Sequence, residues 1–196
     1  MRYATRSPAV PMTVFFSGRH SSEKGLWWLL QSWKIVVGTL PEAVLTIAGE
    51  GDQTQEIMEW AATQGLDASL RWAGWLDREL NRKIASSHQI VVVPSLWDEP
   101  FGLTALEASW SGRPVVVSRV GALPEIVADG VTGICVEPGE IKELARAIMA
   151  LLGNHEKSER LGHAGYERAR QQFSIKNCAE RHVILYEEVL AAAGGQ

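Results

Sequence analysis

Short apolar runs alternate along the chain with longer segments of helical periodicity. The runs occupy 13–16, 43–48, 69–73, 90–93, 115–117 and 133–136, and the helical patterns occupy 22–37, 52–64, 77–85, 103–111, 122–128, 140–152, 154–171 and 175–192. The run at 90–93, Ile-Val-Val-Val, is apolar at every position, which is typical of a strand covered on both faces. Because strands that alternate with helices form parallel sheets, the sequence predicts a Rossmann-like α/β fold with a doubly wound parallel sheet.

The length of the chain favours a single hydrophobic core. It has 196 residues, of which 46% are hydrophobic, and this is too short for two ordinary domains. Pro8 and Pro11 interrupt regular structure near the start. We therefore predict a linker or tail over residues 1–12 and one domain, with its C-terminal helices, over residues 13–196.

Composition argues against several classes of protein. The formal net charge is −4 and no run of Lys or Arg occurs, so no nucleic-acid partner is expected. No stretch reaches the roughly 18 apolar residues of a membrane span, and the first residues lack the apolar core of a signal peptide. Cys135 and Cys178 are the only cysteines. A reduced cytoplasmic protein is the expectation, with a disulfide as the alternative; peripheral membrane attachment of a longer enzyme stays open.

Polar and glycine-rich segments follow the predicted strands. They span 17–25, 49–53, 74–77, 94–102 and 118–125. In doubly wound sheets, ligands bind beyond the carboxyl ends of the strands, where such loops share one rim. Charges that are distant in sequence are therefore expected to meet there.

The segment 99–107, Glu-Pro-Phe-Gly-Leu-Thr-Ala-Leu-Glu, places two carboxylates around the start of a predicted helix. The first amides of that helix, at Phe101, Gly102 and Leu103, suit a bound phosphate. Glu107 lies about one and a half turns into the helix, where its two oxygens can accept from a vicinal diol such as a ribose. Glu99 lies nearer the phosphate end, beside a sugar attached to it. The alternative is that Glu99 only favours the helix dipole and Glu107 is solvated.

Several motifs in this order resemble the retaining glycosyltransferases of family 4 (group 1), which have the two-domain GT-B architecture. The pair at E-x7-E is Glu99 and Glu107, and the segments 49–52 and 124–133 have the family's form. The family's first loop, G-R-…-K-G, is matched by Gly18, Arg19, Lys24 and Gly25. The likeness covers about residues 13–175. It implies that the chain is the C-terminal donor-binding half of a GT-B fold, binding a nucleoside diphosphate sugar.

The resemblance also implies roles for individual residues. Arg19 and Lys24 match the phosphate-binding pair, and with Glu99 they make up the predicted catalytic set. The acceptor hydroxyl attacks from the leaving-group face, and Glu99 holds sugar hydroxyls without forming a covalent bond. No D-x-D triplet and no H-x-x-x-H spacing occurs, so no metal site is predicted, and no cofactor is expected beside the donor.

Other candidate residues rest on weaker patterns. Trp75 follows a glycine in a rim loop and is a candidate for the donor base, with core packing as the alternative. Glu50, between two glycines, is a candidate for contact beneath the donor or a plain turn acid. Gly121 fits the family's double-glycine position, from which Ala122 departs. His20 is expected to be an ordinary exposed histidine.

The missing half of the GT-B fold leaves three alternatives open. The chain is a fragment, a subunit that needs a separate acceptor-binding chain, or a stand-alone nucleotide-sugar binder. A dinucleotide-dependent oxidoreductase is disfavoured because no G-x-G-x-x-G follows the first strand. Apolar residues of the last helix, among them Val189 and Leu190, are expected to be exposed and to allow self-association. The sequence does not identify the donor base, the sugar or the acceptor.

Overall fold

The computed structural model describes residues 8–193, and within that range six strands alternate with eight α-helices. The strands are β1 Val10–Ser17, β2 Val44–Ala48, β3 Leu70–Gly74, β4 His88–Val93, β5 Val115–Ser118 and β6 Gly133–Val136. The helices are α1 Leu26–Thr39, α2 Thr54–Thr63, α3 Arg78–Ser87, α4 Leu103–Trp110, α5 Leu123–Ile126, α6 Ile141–Leu152, α7 His155–Gln172 and α8 Ile175–Ala193. Short 3-10 turns, Ser22–Lys24 and Asp67–Ser69, precede α1 and β3.

All six strands belong to one parallel sheet in the order β3-β2-β1-β4-β5-β6. The predicted doubly wound sheet is confirmed. The strand order reverses between β1 and β4, so the connections that leave these two strands lead in opposite directions. Such a switch point opens a crevice at the carboxyl ends of the two strands, which is where ligands bind in this class of fold.

Apolar side chains cover both faces of the sheet. Every residue of β4 and β5 is buried. In β1, Val14 and Phe16 pack with the residues of α1 and α6, whereas Phe15 packs on the opposite face with those of α3, α4, α5 and α7. Burial of each such side chain contributes about 1.5–3 kcal/mol, which makes these strands the rigid support of the loops that follow them.

The first strand begins earlier than the sequence predicts. β1 starts at Val10, inside the segment predicted as a linker, while residues 1–7 of that segment lie outside the described range. Pro11 is accommodated because the register against β4 shifts between Val10 and Val14, and Met12 takes a positive φ of 58°. The buried Gln89 side chain accepts a hydrogen bond from the Met12 amide at 2.7 Å. The Met12 amide is therefore hydrogen-bonded although the strand is irregular there.

Two predicted helices differ in extent from those observed. The pattern at 22–37 is divided by Gly25, whose φ is +67°. A Cβ at Gly25 would lie 1.9 Å from the carbonyl oxygen of Pro94, so the chain must turn there to pass the loop after β4. The pattern at 122–128 gives only the single turn α5, because Val127 is extended and Thr132 accepts a hydrogen bond from the Ala128 amide at 2.8 Å.

The last helix, α8, exposes its apolar residues. Those more than half exposed are Ile175, Val183, Ile184, Leu185, Tyr186, Val189 and Leu190. Within the described range, no helix has the length and apolar character needed to cross a membrane. Cys135 is buried and Cys178 exposed, and both are free thiols, so the disulfide alternative is wrong.

Candidate functional site

A cavity of about 320 Å³ lies at the switch point between β1 and β4. Residues 16–18 and Lys24 line it from the end of β1 and its loop, and residues 93–95 and 99–104 line it from the end of β4 and the start of α4. Two of the five predicted rim loops, those after β1 and β4, therefore border this cavity. Six of the ten predicted site residues line it, namely Gly18, Lys24, Glu99, Phe101, Gly102 and Leu103.

A hydrogen-bonded cluster of three side chains forms one wall of the cavity. Lys24 Nζ donates to Glu99 Oε1 at 2.5 Å, and Ser95 Oγ donates to the same oxygen at 2.6 Å. No hydrogen bond from any residue in the range 8–193 reaches the second carboxylate oxygen of Glu99. The Glu99 side chain is only 13% exposed. A partly buried carboxylate with one oxygen engaged and one oxygen unengaged is able to accept from a ligand hydroxyl.

The loops that carry this cluster are joined through their backbones. The Leu96 amide donates to the Glu23 carbonyl at 2.8 Å, and Gly25 passes against the Pro94 carbonyl. These contacts lie beside Lys24 and Ser95 in the sequence. They fix the relative position of the two side chains and make the cluster a property of the fold.

The loop after β5 supports Glu99 from the other side. The Ala122 amide donates to the Glu99 carbonyl at 2.9 Å, and the Gly121 amide donates to Asp98 Oδ1 at 3.1 Å. Gly121 has φ +49°, and a Cβ there would lie 2.4 Å from the Glu99 carbonyl oxygen. Glycine is therefore required at this position by close approach to the Glu99 backbone.

The N-terminus of α4 opens onto the cavity without a side-chain cap. Gly102 is the N-cap residue, with φ +87°, and among residues 8–193 no side chain accepts from the first turn of the helix. The positive φ favours glycine there, and a Cβ at Gly102 would lie 2.6 Å from Leu123 Cδ2, so the Leu123 side chain would have to shift. The amides of the first turn and the positive end of the helix dipole thus suit an anionic ligand.

Glu107 lies on α4 but does not line the cavity. Its Oε1 accepts from Nε of the exposed Arg78, on α3, at 3.0 Å. The carboxylate is 22% exposed and retains an oxygen that accepts no hydrogen bond within the described part of the chain. The structure therefore separates the two glutamates: Glu99 faces the cavity, and Glu107 lies on the side of α4 that faces α3.

Three further predicted residues lie on the rim outside the cavity. Arg19 and Glu50 are exposed, and Arg19 forms no ion pair with any residue that the structure describes. Trp75 is 72% exposed, so the alternative that it packs in the core is wrong. A large aromatic side chain held in solvent at the carboxyl end of a strand is available for contact with a ligand or a partner.

His20 is not exposed, in contrast to the expectation. It is 1% exposed, and its Nδ1 lies 2.9 Å from Thr54 Oγ1. Its amide donates to the Glu50 carbonyl and its carbonyl accepts from the Gln53 amide, each at 3.1 Å. Burial lowers the pKa of His20, and the charge of Glu50 opposes that shift. The side chain joins the loops after β1 and β2 and so fixes the backbone beside Arg19.

Ser95 is the site residue that sequence reasoning missed. It lies in the segment 94–102, which the sequence predicts to be a rim loop, but a serine in a loop carries no specific signal. Only the fold shows that its hydroxyl faces Glu99. For metals, no group of three or more His, Cys, Asp or Glu side chains able to hold an ion occurs in residues 8–193.

Comparison with known proteins assigns the chain to a family. The family model described as "Glycosyl transferases group 1" matches residues 3–168. The chain belongs to the glycosyl transferases group 1 family. The match covers both loops that form the cavity and the whole of the parallel sheet, so it includes the parts of the fold that carry the candidate site.

The chain is similar to the glycogen synthase of Mycobacterium tuberculosis. The two are 32% identical over 195 residues, which cover 99% of this chain and 46% of the relative. The chain spans about half the length of the curated relatives it matches.

Solved structures of glycosyltransferases have the same fold. Anabaena HepE, in complex with UDP and glucose, is 24% identical with a TM-score of 0.80, over 89% of this chain and 48% of that chain. The C-terminal domain of LpcC, a group 1 glycosyl transferase from Francisella tularensis, is 25% identical with a TM-score of 0.77. That comparison covers 86% of this chain and 88% of that one. The six-stranded sheet with its helices is therefore a GT-B-like domain.

Proposed function

We propose that this chain is the C-terminal, donor-binding domain of a family 4 glycosyltransferase and that it binds a nucleoside diphosphate sugar. The observation that carries the proposal is the Lys24–Glu99 ion pair in a cavity that also receives the uncapped N-terminus of α4. A cation and free amides suit a diphosphate, and a carboxylate suits sugar hydroxyls. The similarity to a separately solved C-terminal domain of another group 1 enzyme supports the assignment to this half of the fold.

The diphosphate is proposed to bind between α4 and the loop after β1. The start of α4, Lys24 and Gly18 border the same cavity. Arg19 adds a second cation on the rim, exposed and free of any ion pair among the described residues. Negative charge grows on the diphosphate as the bond to the sugar breaks, and fixed cations and amides stabilise that charge.

The sugar and the nucleoside are proposed to extend from opposite ends of the diphosphate. The unengaged oxygen of Glu99 accepts from sugar hydroxyls, and that of Glu107 accepts from the ribose. Glu50 lies on the adjacent rim beneath the donor, and the exposed ring of Trp75 contacts the base. Glu50, Trp75 and Glu99 follow three different strands, and Glu107 lies on α4. A donor that contacts all four therefore extends across several loops of the rim.

The proposed transfer retains configuration at the anomeric carbon. The acceptor hydroxyl attacks from the face that the diphosphate leaves, a new C–O bond forms, and the bond to the diphosphate breaks with its electron pair. The proton of the hydroxyl passes to a phosphate oxygen. Lys24, Arg19 and the amides of α4 stabilise the leaving group, so no metal is proposed, and Glu99 orients the sugar without forming a bond to it.

An acceptor-binding domain is the proposed partner, either on the same polypeptide or on a separate chain. The exposed apolar residues of α8 offer a surface for it, with self-association as the alternative use of that surface. Positioning of an acceptor accounts for about 7–11 kcal/mol of a transfer barrier. The chain alone is therefore expected to bind donor and to transfer sugar far more slowly than about 1 s⁻¹, the low end for ordinary enzymes.

A thermal-shift panel tests the proposal. UDP-, GDP- and ADP-glucose, the corresponding diphosphates and NAD are each added to the purified chain. A ligand at a hundred times its dissociation constant adds about 2.7 kcal/mol of stability. Stabilisation by one nucleoside diphosphate series supports donor binding, whereas stabilisation by NAD alone, or by none of them, contradicts it. A stand-alone binding module is the second candidate, distinguished by the absence of transfer when an acceptor domain is supplied.

A further inference from the structure

Ser95 is placed to control how Glu99 meets a ligand. It is 1% exposed, lines the cavity two residues after β4, and donates its hydroxyl proton to Glu99 Oε1 at 2.6 Å. The oxygen that it binds is the one that Lys24 also binds. Two donors therefore converge on a single carboxylate oxygen, and both come from backbone segments that contact each other.

Because Lys24 and Ser95 both bind Oε1 of Glu99, they also set the position of its second oxygen, Oε2. A glutamate side chain has three rotatable bonds, and a free one loses that freedom when it binds a ligand. With Oε1 held by two short, charge-assisted hydrogen bonds, the carboxylate has its position set before a ligand arrives. Oε2, which accepts no hydrogen bond within the described range, is then the acceptor presented to the cavity.

The two donors are not equivalent. Lys24 is 32% exposed and is the cation proposed to bind the diphosphate, so its ammonium group, with three N–H donors, is shared between Glu99 and a bound donor. Ser95 is buried and has Glu99 as its side-chain partner. The Ser95 hydroxyl is therefore the contact to Oε1 that a bound diphosphate does not share.

We propose that Ser95 is a positioning residue that fixes Glu99 Oε1, so that Oε2 selects nucleoside diphosphates that carry a sugar over those that do not. The inference rests on the proposed function, because the sugar is the group that Glu99 is proposed to bind. The proposal predicts that selectivity for sugar-bearing nucleoside diphosphates depends on the Ser95 hydroxyl, which does not itself contact the sugar.

A double-mutant cycle tests the proposal by calorimetric titration with UDP-glucose and UDP. Ser95→Ala is expected to lower the affinity for UDP-glucose about tenfold and that for UDP less than twofold. In the Glu99→Ala background, Ser95→Ala is expected to have less than a twofold effect on either, since the carboxylate that it positions is gone and no acceptor replaces it. Ser109→Ala is the matched control: Ser109 is also buried, bonds to the Ala105 carbonyl of its own helix, and does not line the cavity.

Equal losses for UDP-glucose and UDP, or the same loss with and without the Glu99 carboxylate, would overturn the positioning role. If the wild-type chain binds neither UDP-glucose nor UDP, the proposed donor specificity is wrong. The positioning role is then tested without a ligand, by the ¹³C resonance of the side-chain carboxyl carbon of Glu99. It is expected to move in Ser95→Ala and to stay in place in Ser109→Ala, and an unmoved resonance in Ser95→Ala overturns the proposal.

Discussion

Lys24 and Glu99 lie 75 residues apart in the chain and form an ion pair of 2.5 Å in the cavity at the switch point. The pair joins the loop after β1 to the loop after β4, the two loops between which the strand order reverses. The ammonium group has three N–H donors, so Lys24 can bind Glu99 and a diphosphate at the same time. Donor binding is therefore expected to add contacts to phosphate and sugar around this ion pair.

Replacing Lys24 with Ala is expected to weaken binding of a nucleoside diphosphate by about 1.5–3 kcal/mol, because a hydrogen bond to a charged group is lost. Arg19→Ala is expected to have a smaller effect in the same direction, since Arg19 is exposed and its charge is screened. Calorimetric titration of each variant with the nucleoside diphosphate and with the free nucleoside measures the two losses of affinity. Lys34→Ala removes an exposed lysine of α1 that bonds to Gln64 and serves as the control. Equal losses for nucleoside and diphosphate would argue for a folding defect.

Glu107→Gln is expected to reduce affinity for a nucleoside diphosphate without sugar by about 1.5–3 kcal/mol, because an amide is a weaker acceptor for a ribose diol. Glu99→Gln is expected to spare that ligand and to weaken the sugar-bearing donor. Arg78→Ala removes the exposed partner of Glu107 Oε1 and should change affinity less than about threefold. Wild-type affinity of Glu107→Gln for the diphosphate would show that the ribose assignment is wrong.

Gly121→Ala is expected to destabilise the protein more than Gly130→Ala. Both glycines have positive φ, which costs an alanine about 1–2 kcal/mol. A Cβ at Gly130 meets no atom within 4 Å, whereas a Cβ at Gly121 would lie 2.4 Å from the Glu99 carbonyl oxygen. Urea unfolding of the two variants measures the difference, which should exceed about 1 kcal/mol. Equal destabilisation would mean that the Gly121 loop does not brace Glu99.

Lowering the pH is expected to destabilise the fold through His88 and His20. Burial lowers the pKa of both below the ordinary 6.5. For His88 the hydrogen bond to the Ile84 carbonyl opposes the lowering of the pKa, and the charge of Arg113 adds to it. The unfolded chain binds the proton more readily than the folded one, so this stability is fully present above pH 6.5. It is lost as the pH falls toward the lowered value, by at most about 1.4 kcal/mol per pH unit for each group.

Urea unfolding between pH 7.5 and pH 5 checks this dependence. The pH slope should be shallower in His88→Gln than in the wild type, because one of the two titrating groups is gone. Replacing the exposed His163 with Gln should leave the slope unchanged. A slope in His88→Gln equal to that of the wild type would contradict the argument.

The alternation of strands and helices could be predicted because parallel strands buried on both faces appear as continuous apolar runs, as at 90–93. The rim loops then followed from the order of elements. The ion pair of Lys24 with Glu99 and the hydroxyl contact of Ser95 could not be predicted, since they depend on how the loops after β1 and β4 fold against each other. The burial of His20 depends on Thr54, 34 residues away. The early start of β1 depends on Gln89, which satisfies the Met12 amide beside Pro11.

We expect a nucleoside diphosphate sugar to bind in the cavity between β1 and β4, and a crystal structure of the complex would show where it lies. The donor that gives the largest thermal shift is the ligand to use. The diphosphate is expected within hydrogen-bond distance of Lys24 and the first amides of α4, with the sugar on Glu99 and the ribose on Glu107. A nucleotide bound elsewhere, or one whose diphosphate contacts neither Lys24 nor the α4 amides, would contradict this expectation.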